Sequence, residues 1–245
     1  MKYLLKKLVR KIGFELNRNG INRFTVGASS MARLQRLFLF HKIDCILDVG
    51  ANRGQFALDI RSAGYRGRII SFEPLSDAYQ QLLTNSKKDP LWEIAPRAAI
   101  GAKDDEITIN IAKNSWSSSI LNMHESHVIH DPSSVYMGSE KVRLARLDSI
   151  TTPYLRKGTR FFLKIDTQGY EAEVIDGATQ ILQMVTGLHI EISFVPLYEG
   201  QTLYREMIKK VEDLGFELNG ISPGIADNVT GRLLQADGIF FRRDG

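Results

Sequence analysis

The stretch Asp48-Val49-Gly50-Ala51-Asn52-Arg53-Gly54-Gln55-Phe56 stands where a short apolar run gives way to a helical pattern. The run is Ile43 to Val49, and the helix it feeds is expected from Gly54 to about Ala63. Glycines at such a junction let the backbone turn and approach a ligand with no Cβ in the way. Open α/β sheets bind ligands at this first turn. The spacing here is Gly-x-x-x-Gly, which departs from the Gly-x-Gly-x-x-Gly fingerprint of diphosphate binding. Asp48, two residues ahead of Gly50, suits a cationic ligand better than a diphosphate. The competing reading is a tight turn that serves packing alone.

Working outward, strand and helix signals alternate. Arg68 to Phe72 reads as a second strand, and Ser76 as the cap of a helix running to about Asn85. Trp92 to Ile100, Glu106 to Ile111 and Val142 to Leu147 read as strands. Lys113 to Ser139 is rich in Ser, His and Asn, lacks periodicity, and reads as a long loop or lid. Phe161 to Ile165 is a buried strand, followed by a helix over roughly Tyr170 to Met184. Leu188 to Phe194 is a further strand and Thr202 to Leu214 a further helix. Gly215 to Leu218 and Ile239 to Phe241 close the chain as strands with no helix between them. The expected fold is α/β and Rossmann-like, with helices on both faces of a mostly parallel seven-stranded sheet that contains an antiparallel final strand.

Glu73 ends the second strand, 23 residues after Gly50. A carboxylate there can accept both hydroxyls of a ribose. An acid before the glycines and another after strand two together favour a nucleoside ligand without phosphates, a description that S-adenosylmethionine meets. Asp166 closes the central strand Phe161 to Ile165, where ligand crevices open. Lys164 lies two residues earlier on the same strand face, and Glu191 is expected beside it. These three are the candidate catalytic groups, as a general base or for positioning substrate. The competing readings are a structural ion pair and a magnesium site on Asp166 and Glu191, two carboxylates being a thin basis for the latter. His124, His127 and His130 recur every three residues, unlike the i, i+4 pair of a helical zinc motif. They are a secondary source of a general base.

The run Asp48 to Phe56, then Phe72-Glu73-Pro74, then Leu163-Lys164-Ile165-Asp166-Thr167-Gln168-Gly169-Tyr170-Glu171, resembles the FkbM family of methyltransferases. Glu191 to Tyr198 and Gly231 to Asp237 fit the same pattern, and the likeness covers about residues 43 to 242. It implies a class I methyltransferase fold and methyl transfer from S-adenosylmethionine, usually to an oxygen. Family acceptors are hydroxyls of sugars, glycolipids and polyketide-type natural products. The resemblance implies that Asp48, Gly50, Ala51, Asn52, Gly54, Gln55 and Phe56 shape the methionine end of the pocket. Glu73 and Pro74 would sit at the ribose, and Ala98 and Ala99 beside the adenine. The rival functions are a nucleotide-dependent oxidoreductase on the same topology and a non-catalytic S-adenosylmethionine-binding module.

Composition narrows the partners. The 245 residues are 43% hydrophobic and 24% charged, which is ordinary globular usage. Of the net charge of +4, the residues before Phe24 carry +6, which leaves −2 for the body. A nucleic-acid enzyme would spread its basic patch over the domain, so a small-molecule or glycan acceptor is expected and nucleic acid is not. Leu4, Leu5, Leu8, Val9, Ile12 and Leu16 form one side of a basic amphipathic helix. That helix either packs on a domain or a partner, or touches an anionic membrane surface. The lone Cys45 rules out an internal disulfide and fits the cytoplasm. The expected organisation is a helical extension over 1–42 and a methyltransferase domain over 43–245.

Overall fold

The computed structural model describes residues 29–243. The expected amphipathic helix of residues 1–20 lies outside the described residues. The chain divides into two units, Met1–Lys42 with Leu58–Arg66, and Ile43–Ala57 with Gly67–Gly245.

In the first unit, helix α1 spans Ser30–His41. Ser29 caps it, its hydroxyl accepting from the Ala32 amide at 3.3 Å. Lys42 ends it in the left-handed conformation, φ 54°. Phe38 is buried, and its ring meets the edge of Tyr65 at 5.4 Å.

The second unit is built on a seven-stranded sheet of order β3-β2-β1-β7-β8-β10-β9. Its strands are β1 (Cys45–Val49), β2 (Arg68–Phe72), β3 (Trp92–Ile94), β7 (Phe161–Ile165), β8 (Val185–Ser193), β9 (Phe216–Pro223) and β10 (Gln235–Arg242). β1 pairs in parallel with β2 and with β7, so Asp48 stands opposite Ser71 on one side and Lys164 on the other. Every residue of β1 and β7 is buried, the mark of a strand covered on both faces. β10 runs antiparallel to both β8 and β9, as expected of two strands joined without a crossover helix. Leu47, Val49, Leu163, Ile165, Leu188 and Ile190 form the centre of the core. Truncating one such leucine to alanine costs about 2–5 kcal/mol.

The helices include α2 (Gln55–Ser62), α3 (Ser76–Ser86), α5 (Leu147–Ile150) and α7 (Tyr204–Asp213). Among the described residues no helix is long and apolar enough to cross a membrane.

Four local expectations are corrected. Trp92 to Ile100 is not one strand: β3 ends at Ile94, and β4 (Ala99–Ile100) belongs to a second sheet of order β4-β6-β5. Pro96, which has no N–H for a ladder, falls between them. Lys113 to Ser139 is not simply a loop. It contains α4 (Glu125–His130), and β6 (Tyr136–Ala145) begins within it, antiparallel to β5 (Asp105–Ala112). The helix expected over Tyr170 to Met184 is instead α6 (Glu171–Asp176) and a 3-10 turn at Ile181–Met184. The break falls at Gly177, where a Cβ would stand 2.0 Å from the Gly101 carbonyl oxygen. Ser76 is not the cap of α3 but its first residue, after Leu75. Its amide and hydroxyl both donate to Glu140 Oε2 at 3.0 Å, tying α3 to β6.

Candidate active site

A cleft of about 650 Å³, measured to its open mouth, lies at the carboxyl ends of β1, β2 and β7. Its floor is Val49, Gly50 and Asn52 after β1, Phe72 to Leu75 after β2, and Asp166 to Gln168 after β7. Its other wall comes from the second sheet and the segment that follows β5: Ala98 to Ile100, Ile109, Ser115, Trp116 and Ser118 to Ile120. β1 and β7 are the two strands between which chain order reverses, which is where such sheets open.

The turn after β1 is fixed by close approach. Gly50 has φ +74°, and a Cβ there would lie 1.8 Å from the Asp166 carbonyl oxygen. The amides of Gly50 and Ala51 both donate to Phe72 O, at 3.1 and 3.0 Å. Asn52, with φ 49°, presents its amide to Glu73 Oε2 at 2.7 Å. Leu75 N donates to Glu73 Oε1 at 2.9 Å. Glu73 is thereby aimed along the cleft with one lone pair on each oxygen still available. Burial pushes its pKa up to about 7, against the pull of those two amides.

Beneath the floor lies a charged cluster. Lys164 Nζ reaches Asp48 Oδ1 at 3.2 Å, Asp166 Oδ2 at 3.3 Å and Gly50 O at 3.1 Å. Three acceptors satisfy all three ammonium protons. Burial pulls the Lys164 pKa down, but Asp166 and Asp48 outweigh it and hold it above the ordinary lysine value. Lys164 is thus paired with two carboxylates and, unlike Asp166, does not line the cleft. Asp48 is wholly buried, takes a further bond from Ser71 Oγ at 3.1 Å, and does not line the cleft.

Asp166 is the only one of the three catalytic candidates that lines the cleft. Glu191 lies behind it: Gln168 Nε2 donates to Asp166 Oδ1 at 2.8 Å and to Glu191 Oε2 at 3.1 Å. Gln235 Nε2 adds a third bond, to Glu191 Oε2 at 2.9 Å. Burial, then the charges of Asp166, Glu171 and Asp237, push the Glu191 pKa well above the usual carboxylate range. In the expected two-carboxylate magnesium site, the Gln168 amide bonds both carboxylates, Asp166 and Glu191.

The other expected residues divide. Gly50, Asn52, Glu73, Pro74, Ala98 and Ala99 line the cleft. Ala51, Gly54, Gln55 and Phe56 do not. Ala51 is buried in the turn, and a Cβ on Gly54 would meet the Trp92 ring at 2.5 Å. Gln55 Oε1 accepts from Arg53 N at 3.0 Å, while Phe56 packs edge-on to His189. The histidines are also elsewhere. His127 is buried against Tyr198, His130 lies 3.5 Å from Asp227, and His124 precedes α4. Among the described residues no group of three or more potential ligands could hold a metal.

Sequence reasoning missed the wall made by Ile109, Ser115, Trp116 and Ser118 to Ile120, along with Thr167 and Gln168. One signal was present: Trp116 is a large aromatic in an otherwise polar stretch, and it is 58% exposed.

A family model described as the methyltransferase FkbM domain matches residues 48–218. The chain belongs to the FkbM methyltransferase family. Among solved structures it is similar to methyltransferase FkbM from Methylobacillus flagellatus, at 14% identity and a TM-score of 0.51. That likeness covers 81% of this chain and 44% of the other, so the chain spans less than half of its relative's length. A putative RNA methyltransferase from Pyrococcus horikoshii is similar at 12% identity and a TM-score of 0.45, over 88% and 84% of the two chains. No curated protein sequence matches the chain. The family and the sheet order together make the second unit a class I methyltransferase fold.

Proposed function

We propose that this FkbM-family methyltransferase moves a methyl group from S-adenosylmethionine to a hydroxyl oxygen of a small-molecule or glycan acceptor. The observation that carries the cofactor assignment is Glu73, a buried carboxylate held on two backbone amides at the strand end beside the Gly50 turn. Its free lone pairs suit the two hydroxyls of a ribose. The missing Cβ at Gly50 lets the turn pass against the Asp166 carbonyl, which brings the ends of β1 and β7 together at the floor. The cleft lacks the Gly-x-Gly-x-x-Gly turn of a diphosphate site, which disfavours a nicotinamide cofactor.

S-adenosylmethionine, when bound, supplies a methyl group already activated on a positive sulfonium. The chain then has to align the acceptor and keep water out. Asp166 is the group for the acceptor: its carboxylate lines the cleft, and it accepts the proton that the hydroxyl oxygen gives up. Trp116 and Ile120, from the wall, exclude water. Sugars, glycolipids and polyketide-type products are the acceptor classes that the family suggests.

Calorimetry with S-adenosylhomocysteine and with NAD tests the cofactor. Binding of NAD in place of S-adenosylhomocysteine would overturn it. For the acceptor, Asp166→Asn should lower methyl transfer to hydroxyl glycosides about 100-fold or more. Near-normal turnover in that variant would remove Asp166 from the chemistry.

A further inference from the structure

Gln168 has φ 55°, a backbone conformation uncommon outside glycine, and it closes the cleft beside Asp166. Each polar atom of its side chain is committed. Nε2 donates to Asp166 Oδ1 at 2.8 Å and Glu191 Oε2 at 3.1 Å, while Oε1 accepts from the Tyr198 hydroxyl at 2.8 Å. The orientation of that amide follows from the chemistry. Asp166 is ion-paired with Lys164, so its oxygens accept; the end of the amide facing it is then the NH2 end, and the oxygen faces Tyr198. Tyr198 has no solvent exposure. Burial drives its phenol pKa far upward, so the hydroxyl keeps its proton and donates. Its ring is fixed in turn, since a Cβ on Gly169 would lie 3.1 Å from it.

The Gln168 carbonyl takes a bond from Ser119 Oγ at 2.6 Å, and Ser119 lines the opposite wall. Lys164 grips the other oxygen of Asp166. The Asp166 carboxylate is thus held from two directions, by an ammonium on Oδ2 and by an amide on Oδ1. Each anchor is itself held by a second side chain, the ammonium by Asp48 and the amide by Tyr198. We infer that Gln168, oriented by Tyr198, is a positioning residue that sets the direction of the Asp166 carboxylate in the cleft. This rests on the methyl-transfer reading above. The rate consequence is large, because a misplacement of about 1 Å at a reacting group can cost about 100-fold.

The test uses the full chain and two variants. Gln168→Met keeps the length of the side chain but removes donor and acceptor. Tyr198→Phe removes the hydroxyl that donates to the Gln168 amide at 2.8 Å, and with it the longer contact to Ser117 O at 3.2 Å. Gln168→Met is expected to lower kcat at least tenfold, and Tyr198→Phe to lower it in the same direction. The acceptor KM and the calorimetric Kd for S-adenosylhomocysteine stay within about twofold of wild type. In an Asp166→Asn background, Gln168→Met should change the residual rate less than about twofold, because its effect runs through Asp166. An equal kcat loss in both backgrounds, or a loss seen only in Kd, overturns the inference. If Gln168→Met fails to fold, Tyr198→Phe carries the same comparison, and an unchanged kcat there overturns it. A wild type that binds no S-adenosylhomocysteine sinks the functional reading and this inference together. Normal binding with variants of unchanged kcat sinks this inference alone.

Discussion

Lys164 Nζ lies 3.2 Å from Asp48 Oδ1 across the junction of β1 and β7, and neither residue lines the cleft. The pair is buried, and Lys164 is shared with Asp166. Removing one partner strands charge in the interior, which costs about 3–5 kcal/mol. Lys164→Met should therefore lower the unfolding free energy by about that amount in urea titration. Lys164→Met with Asp48→Leu should recover much of the loss. A single variant within about 0.5 kcal/mol of wild type would show that the cluster is not under electrostatic constraint.

Glu73 gives a pH signature. Its pKa in the free protein is raised to about 7 by burial. Hydroxyl donors favour the ionised form, so binding an adenosine ligand should release a proton. Affinity for S-adenosylhomocysteine should rise with pH up to about 7 and level off above it. Glu73→Gln keeps an acceptor for one of the two amides and removes the titration, so its affinity should be lower and flat between pH 5.5 and 8. Calorimetry at several pH values reads this directly. An identical slope in the variant would assign the proton to another group.

Trp116 separates binding from folding. The residue is more than half exposed, yet it lines the cleft. Trp116→Ala should leave stability within about 0.5 kcal/mol. The Kd for S-adenosylhomocysteine should weaken about tenfold, or about 1.4 kcal/mol. Unchanged affinity would place the ring outside the adenosine site.

Gly50 should tolerate nothing larger. An added Cβ collides with the Asp166 backbone oxygen, and the left-handed backbone costs an L-residue about 1–2 kcal/mol more. Gly50→Ala should lower the melting temperature and abolish S-adenosylhomocysteine binding together. A variant that binds normally would mean that the turn relaxes without disturbing Asp166.

What was legible in the sequence follows from how locally each feature is encoded. Arg68–Phe72 and Phe161–Ile165 are strands over the expected residues because nearly every side chain in them is buried, which leaves apolar runs interrupted only by Ser71 and Lys164 after the first residue. The Gly50 turn and Glu73 were readable because they sit at strand ends. Gly177 stops α6 for a reason no local pattern carries: the Gly101 backbone passes too close. The polar stretch after Lys113 looked unstructured because its order comes from distant partners. Asn110 and Ser119 exchange two backbone bonds, and Ser119 Oγ bonds Gln168 O. Lys164 looked reactive in sequence because its neighbours Asp48 and Gly50 lie more than a hundred residues away.

The three-stranded sheet of β4, β6 and β5 carries a wider consequence. The floor of the cleft is written in residues 49–75 and 166–168, while most of the facing wall is written in one contiguous tract, residues 98–120, braced by β6. Floor and wall meet through a few cross-links, such as Ser119 to Gln168 and Ser76 to Glu140. The two can therefore diverge at different rates. The central strands answer to packing and to the cofactor, and a change in the wall re-shapes what is admitted without re-registering the sheet. In the language of inheritance, the wall is a cassette: a lineage can exchange it, keep the same methyl chemistry, and acquire a different clientele.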